Sequence, residues 1–125
     1  MLKLMMCVKR RPDLTRREFA DYWQDHHGAL VRMHQDVLHI RRYVQTLTLD
    51  DALTQESLRV SRSALKAEFD GCAELWWDSL ADHLAARKTP QGVEALQALM
   101  VDERRFVDVS RSQLWYGTER LIIPD

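Results

Sequence analysis

Apolar residues occupy alternate positions from Leu2 to Val8, and the run is closed by Lys9, Arg10, Arg11 and Pro12. It is too short for a helix and predicts a first strand, with Leu2, Leu4, Met6 and Val8 on one face and Lys3, Met5 and Cys7 on the other. Thr15 then stands three residues before Glu18, the spacing of a reciprocal helix cap, and an apolar period follows through Phe19, Tyr22, Trp23, His26, Leu30 and Met33. This predicts a helix lying on one side of a sheet, with a bend or weak point at Gly28. Arg42 to Leu49 alternates again and carries the β-branched Val44, Thr46 and Thr48, which predicts a second strand with Tyr43 and Gln45 on a common face. Asp50 to Lys66 is polar, without a strong period, and fits a short helix or a mobile loop. Phe69 to Asp78, a short apolar run with Glu74 in its middle, predicts a third strand. Ser79 caps a predicted helix from Leu80 to about Arg87, and Thr89 with Pro90 starts another through Met100, its buried side formed by Val93, Leu96 and Met100. Arg105 to about Val109 reads as a fourth strand, and Leu114 to Ile123 as a further strand or a partner-clasping tail.

The order β-α-β, loop, β-α-β forms an antiparallel sheet with both long helices on one face. The opposite face is then bare. It carries one of the two alternating sets of the third strand, either Cys72, Glu74 and Trp76 or Ala73, Leu75 and Trp77. An apolar face of that size calls for a cover, and the economical one is a second copy of the chain across a twofold axis.

With 125 residues, 46% of them apolar and 30% charged, the chain has the balance of one globular domain spanning 1–125. Its 18 basic and 19 acidic residues leave a net charge of −1, too little field to attract nucleic acid or an anionic membrane. The apolar N-terminal run meets Lys9 to Pro12 where a signal peptide would be cleaved, so the expectation is a cytoplasmic protein with no membrane partner. Cys7 and Cys72 are the only thiols and read as reduced, small core residues.

Five segments in order suggest a family: Lys9-Arg10-Arg11-Pro12; Phe19-x-x-Tyr22-Trp23-x-x-x-His27; Arg42-Tyr43-Val44-Gln45; Asp70-Gly71-x-Ala73-Glu74-Leu75-Trp76; and Asp102-Glu103-x-x-Phe106-x-Asp108. In this order and spacing the chain resembles the EthD family of dimeric α+β barrels, over nearly its whole length except Asp50 to Lys66. The resemblance implies an α+β, ferredoxin-like β-α-β-β-α-β sandwich that forms a dimeric barrel with a pocket in each subunit. It also implies cofactor-free chemistry on small hydrophobic molecules, of the kind carried out by dehydratases and cyclases acting on polyketides, lactone isomerases and quinol oxygenases. Other members are accessory proteins of ether degradation.

His27 is the first candidate. An imidazole titrating near neutrality can take a proton from an activated carbon or hydroxyl and return it elsewhere. Helical spacing centres His26 on the apolar stripe and leaves His27 at its edge; the family resemblance and a bend at Gly28 favour His27, with His26 as the alternative. Glu74, between Ala73 and Leu75, is the candidate acid if burial raises its pKa, or else a carboxylate paired with a cation such as Arg42. Tyr43 and Gln45 are candidate hydrogen-bond donors to an enolate or phenolate oxygen, or partners of each other. Trp76 reads as a core residue or, with Trp23 of the helix stripe, as a wall for an aromatic ligand. Asp102 and Glu103 read as a salt bridge or subunit contact. His26, His27, His34 and His39 lie close in sequence, but no His-Glu-x-x-His or Cys-x-x-Cys pattern occurs, and no glycine-rich phosphate loop, so neither metal nor nucleotide cofactor is expected.

The function expected from sequence is a cofactor-independent lyase or isomerase acting on an aromatic, polyketide or lactone-like substrate, with His27 and Glu74 catalytic. The alternatives are a non-catalytic small-molecule binding or accessory protein and a cofactor-free quinol-type monooxygenase.

Overall fold

The computed structural model describes residues 1–125. Strand β1 (Leu2–Val8) lies near the middle of a four-stranded sheet of order β2-β3-β1-β4, where β2 is Arg42–Leu47, β3 Gly71–Trp77 and β4 Gln113–Thr118. All three pairings are antiparallel. The long N-terminal helix runs as α1 (Arg16–Asp21), a π-turn (Tyr22–His27) and α2 (Gly28–Met33). Its start is the expected capping box: Thr15 Oγ1 accepts the Glu18 N–H at 3.1 Å and Glu18 Oε1 accepts the Thr15 N–H at 3.0 Å. Helices α4 (Leu80–Ala86) and α5 (Pro90–Glu103) are capped by Ser79 and Thr89, as their sequences predict. No helix is long and apolar enough to cross a membrane.

Register assigns the two faces. Leu2, Leu4, Met6 and Val8 share a face with Ala73, Leu75 and Trp77 of β3, with Tyr43 and Gln45 of β2, and with Leu114 and Tyr116 of β4. That face meets the helices, and the core of Phe19, Trp23, Val31, Ala95 and Phe106 lies against it. Lys3, Met5, Cys7, Cys72, Glu74 and Trp76 form the far face.

Some expectations change. Arg105 to Val109 is not a strand: Arg105, Phe106 and Val107 continue from α5 in turns onto Asp102 and Glu103, and only an isolated bridge joins Val107 to Arg10. Phe106 and Val107 are apolar because they plug the core, at 1% and 4% exposure, and this burial mimics a strand pattern. The fourth strand is the segment that begins at Gln113, and it ends at Thr118, leaving Leu121, Ile122 and Ile123 exposed. Of the two readings of Asp50 to Lys66, the short helix is the one formed: α3 (Ala52–Ser61), started by Asp51 accepting the Thr54 N–H at 3.1 Å. The two cysteines are half-buried on the far face rather than in the core; they are directly opposed across β1 and β3, free, with sulfurs 3.8 Å apart.

Candidate active-site cavity

Between the helices and the sheet lies a mostly apolar cavity of about 420 Å³. Leu4, Met6, Ala73 and Leu75 floor it, and Trp23, His27, Tyr43 and Glu103 stand in its wall. Behind His27 in that wall lies a buried carboxylate. Asp102, in the last turn of α5, is 2% exposed and accepts hydrogen bonds from Tyr22 Oη at 2.5 Å and from His27 Nδ1 at 2.8 Å; His26 Nδ1 is 3.2 Å away. Burial by itself would raise the Asp102 pKa, but the bonds from Tyr22 and His27 outweigh it and hold the carboxyl below its ordinary range. Asp102 is therefore the fixed anion that dictates the tautomer of His27: Nδ1 carries the proton, and Nε2 is left without a protein partner. Burial lowers the His27 pKa, partly opposed by Asp102, so the ring is neutral and basic at neutral pH.

The π-turn brings His27 to this position. Gly28 N–H reaches back five residues to the Trp23 carbonyl, in the π-helical pattern, and the wider turn carries both His26 and His27 round to Asp102. Gln45 supports the turn from the sheet, its Nε2 donating to the same Trp23 carbonyl and to Tyr43 Oη, both at 2.8 Å. Since Gln45 fills an acceptor site of Tyr43, the tyrosine's own proton remains available as a donor. Burial raises the Tyr43 pKa, so the phenol stays protonated.

Of the residues singled out from sequence, His27, Trp23 and Tyr43 converge on the cavity, and Gln45 stands directly behind Tyr43. Glu74 and Trp76 do not. Both point to the far face, because their positions in β3 are out of step with Ala73, Leu75 and Trp77. Glu74 pairs with Lys3 at 2.6 Å, and Trp76 is sandwiched by Lys3 and Arg42, with its indole N–H donated to Glu119. The titratable carboxyl that the cavity does hold is Glu103, whose pKa burial raises against the opposing charge of Arg104. Asp102 does form a salt bridge, with Arg105 at 3.6 Å, but it also orients His27, and Glu103 stands in the wall. Their place in the last turn of a helix whose buried side includes Ala95 was the signal available in the sequence, and the habit of helix-end carboxylates to face solvent masked it. His83, Arg87 and Tyr116, also in the wall, form no sequence pattern. No group of three or more His, Cys, Asp or Glu side chains is placed to hold a metal ion.

The sequence profile of the EthD domain matches residues 11–110. No curated protein matches the chain. Among solved structures, a protein of the EthD family from Bacillus halodurans superposes with a TM-score of 0.64 at 18% identity, over 96% of this chain and 99% of that one. A dimeric protein of unknown function with a ferredoxin-like fold from Bacteroides fragilis gives 0.56 at 12%, over 93% of each chain. SnoaB, a cofactor-independent oxygenase from Streptomyces nogalater, gives 0.54 at 13%, over 99% of this chain and 97% of its own. The fold of the chain described above is thus ferredoxin-like.

Proposed function

The chain is a member of the EthD family, and from that premise we propose that it is a cofactor-independent lyase or isomerase, of the dehydratase or cyclase type, acting on a hydrophobic aromatic, polyketide or lactone-like substrate in the cavity. The observation that carries this reading is the Asp102–His27 pair at 2.8 Å, which leaves a neutral imidazole Nε2 free in the wall of an apolar cavity. His27 Nε2 takes a proton from a carbon next to a carbonyl; the C–H electron pair moves to the carbonyl oxygen, and Asp102 stabilises the imidazolium that forms. Tyr43 donates a hydrogen bond to the enolate oxygen. Glu103, protonated more readily than an ordinary carboxylic acid, gives its proton to a departing hydroxyl, which leaves as water as the enolate collapses to the alkene; in an isomerase the proton returns to a second carbon. Glu103 takes the acid role that the sequence suggested for Glu74.

The test uses 2-tetralone, an aromatic ketone with acidic α-hydrogens, and follows their exchange for deuterium by NMR. The protein is expected to accelerate exchange, and His27→Ala to lower the acceleration by roughly 100-fold, the usual contribution of a general base. Tight binding of such ketones without any acceleration would instead favour a binding or accessory protein. Oxygen uptake would favour an oxygenase, since a carbanion made by the same base is what a cofactor-free oxygenase hands to O₂; the likeness to SnoaB keeps that reading in view.

A homodimer through the far face belongs to the same proposal. It is supported by the exposed Trp115 on that face of β4, beside Met5; Leu53, Leu58 and Leu121 to Ile123 are exposed as well.

A further inference from the structure

At the β4 side of the cavity is a second polar cluster that the chemistry above does not use. His83, on α4, is 4% exposed and packs on Trp77 with ring centroids 4.0 Å apart. Its Nε2 is 2.8 Å from Tyr116 Oη, and Arg87 Nη1 donates to the same oxygen at 2.9 Å. Arg87 forms no ion pair. Its remaining contact is His83 Nε2 at 3.4 Å, while the nearby Asp82 is turned to His39 at 2.8 Å. A half-buried guanidinium in the wall of an apolar cavity, without a carboxylate partner, keeps N–H donors and a charge that an incoming anion can meet. Arg104, the other cation of the wall, sits beside Glu103.

The proton on His83 can be placed. Its Nδ1 is buried with no hydrogen-bond partner. An orphaned buried N–H is rarer and costlier than an unused acceptor lone pair, so the proton is assigned to Nε2, which donates to Tyr116 Oη. The tyrosine oxygen then receives two donors, His83 and Arg87, and its own O–H is left for a ligand. The sheet sets the distance from this cluster to the His27 end. Tyr116 pairs with Leu4, Leu4 with Leu75 and Leu75 with Tyr43, one row across all four strands. The two tyrosines are therefore separated by three strand spacings, about 14 Å between backbones, with Leu4 and Leu75 between them.

We propose that Arg87, Tyr116 and His83 form an anion-binding pole of the cavity that takes the carboxylate of an otherwise apolar aromatic ligand. Tyr116 and Arg87 touch the carboxylate, and His83 is the positioning residue that holds Tyr116. The pole rests on the reading of the cavity as a ligand site, and it narrows the ligand class to aromatic acids whose reacting atom lies toward His27.

The test compares 2-naphthoate with 2-naphthamide, which share shape but not charge, by calorimetry and by quenching of tryptophan fluorescence, as Trp23 and Trp77 line the cavity. Wild-type protein is expected to bind the acid about tenfold or more tightly than the amide, the usual worth of a hydrogen bond to a charged group. Arg87→Gln brings the two within about twofold, and Arg87→Lys, which keeps the charge, retains part of the preference. Tyr116→Phe weakens the acid alone. His83→Phe, which keeps the packing on Trp77, also lowers the acid-to-amide ratio without changing the affinity for the amide. Equal binding of both probes by the wild type, or a preference that survives Arg87→Gln, overturns the pole and leaves the cavity standing. Failure of the folded protein to bind either probe overturns both.

Discussion

His83 and His27 are buried imidazoles held neutral by their surroundings, and this makes stability depend on pH in a defined direction. Burial, reinforced by the charge of Arg87, pushes His83 down to about 4 from an ordinary 6.5, and burial also lowers His27. As pH falls below 6.5 the unfolded chain binds these protons before the folded chain does, so the folded state loses stability between pH 6.5 and about 4. Asp102 acts in a separate, more acidic window. Its folded pKa lies below the ordinary 3.8, so its contribution is complete above that value and is lost only as pH falls through the folded one. Urea denaturation at stepped pH should show a declining midpoint from pH 6.5 to 4, and His83→Phe should flatten part of that decline; an unchanged slope in the variant would refute the assignment. At this scale the placement of Trp23 and Tyr43 at the cavity was legible from spacing, whereas that of His27 rested on the family resemblance and the bend at Gly28, since spacing alone centred His26. Spacing failed at Glu74 and Trp76 because β3 is covered on both faces: Ala73, Leu75 and Trp77 are buried by the helices, while Trp76 is buried by Lys3 and Arg42. With both alternating sets partly hidden, the pattern does not reveal which one faces the cavity.

At the scale of elements, the caps were readable because each is a local exchange of hydrogen bonds within a few residues, as at Thr15, Ser79 and Thr89. The π-turn was not, since its stabilising partners, Gln45 and Asp102, come from a strand and a helix distant in sequence. Two glycines flank this arrangement and respond oppositely to the same substitution. A Cβ on Gly71 would fall 2.7 Å from both the Thr46 carbonyl oxygen and the Trp23 ring, so the start of β3 can pass beneath that indole only as glycine. A Cβ on Gly28 would meet nothing nearer than 3.4 Å, at helical backbone angles of −57° and −42°. Gly71→Ala is expected to cost about 1–3 kcal/mol through overpacking. Gly28→Ala is expected to raise stability by up to about 1 kcal/mol through helix propensity. Urea unfolding of the pair measures both, and shifts of the same sign would contradict the packing described for the π-turn.

For the whole molecule, the sheet presents a cavity face and a far face, and the proposed dimer follows from the second. Met5 lies mid-face, paired with Glu74 on one side and Trp115 on the other. Sedimentation should give a twofold mass for the wild type and a single-chain mass for Met5→Lys, whose charge an isolated chain can solvate but a closed interface cannot. A single-chain mass for the wild type would end the dimer proposal. The α+β order could be read from sequence, because it depends on the alternation of strand and helix patterns along the chain; the exposure of α3 could not, because its polar sequence gives no sign of where Leu53 and Leu58 point. The separation of the two faces has a consequence for how such a chain can diverge. Cavity-side residues hold the even positions of β1 and β4 and the odd positions of β2 and β3, and the far face, where the dimer is proposed, holds the others. Substitutions in one set leave the other set's contacts in place, so their energetic effects should add to within about 0.5 kcal/mol. With the proposed ligand and dimer each confined to one face, a descendant can exchange one substrate for another without passing through a form that has lost its partner.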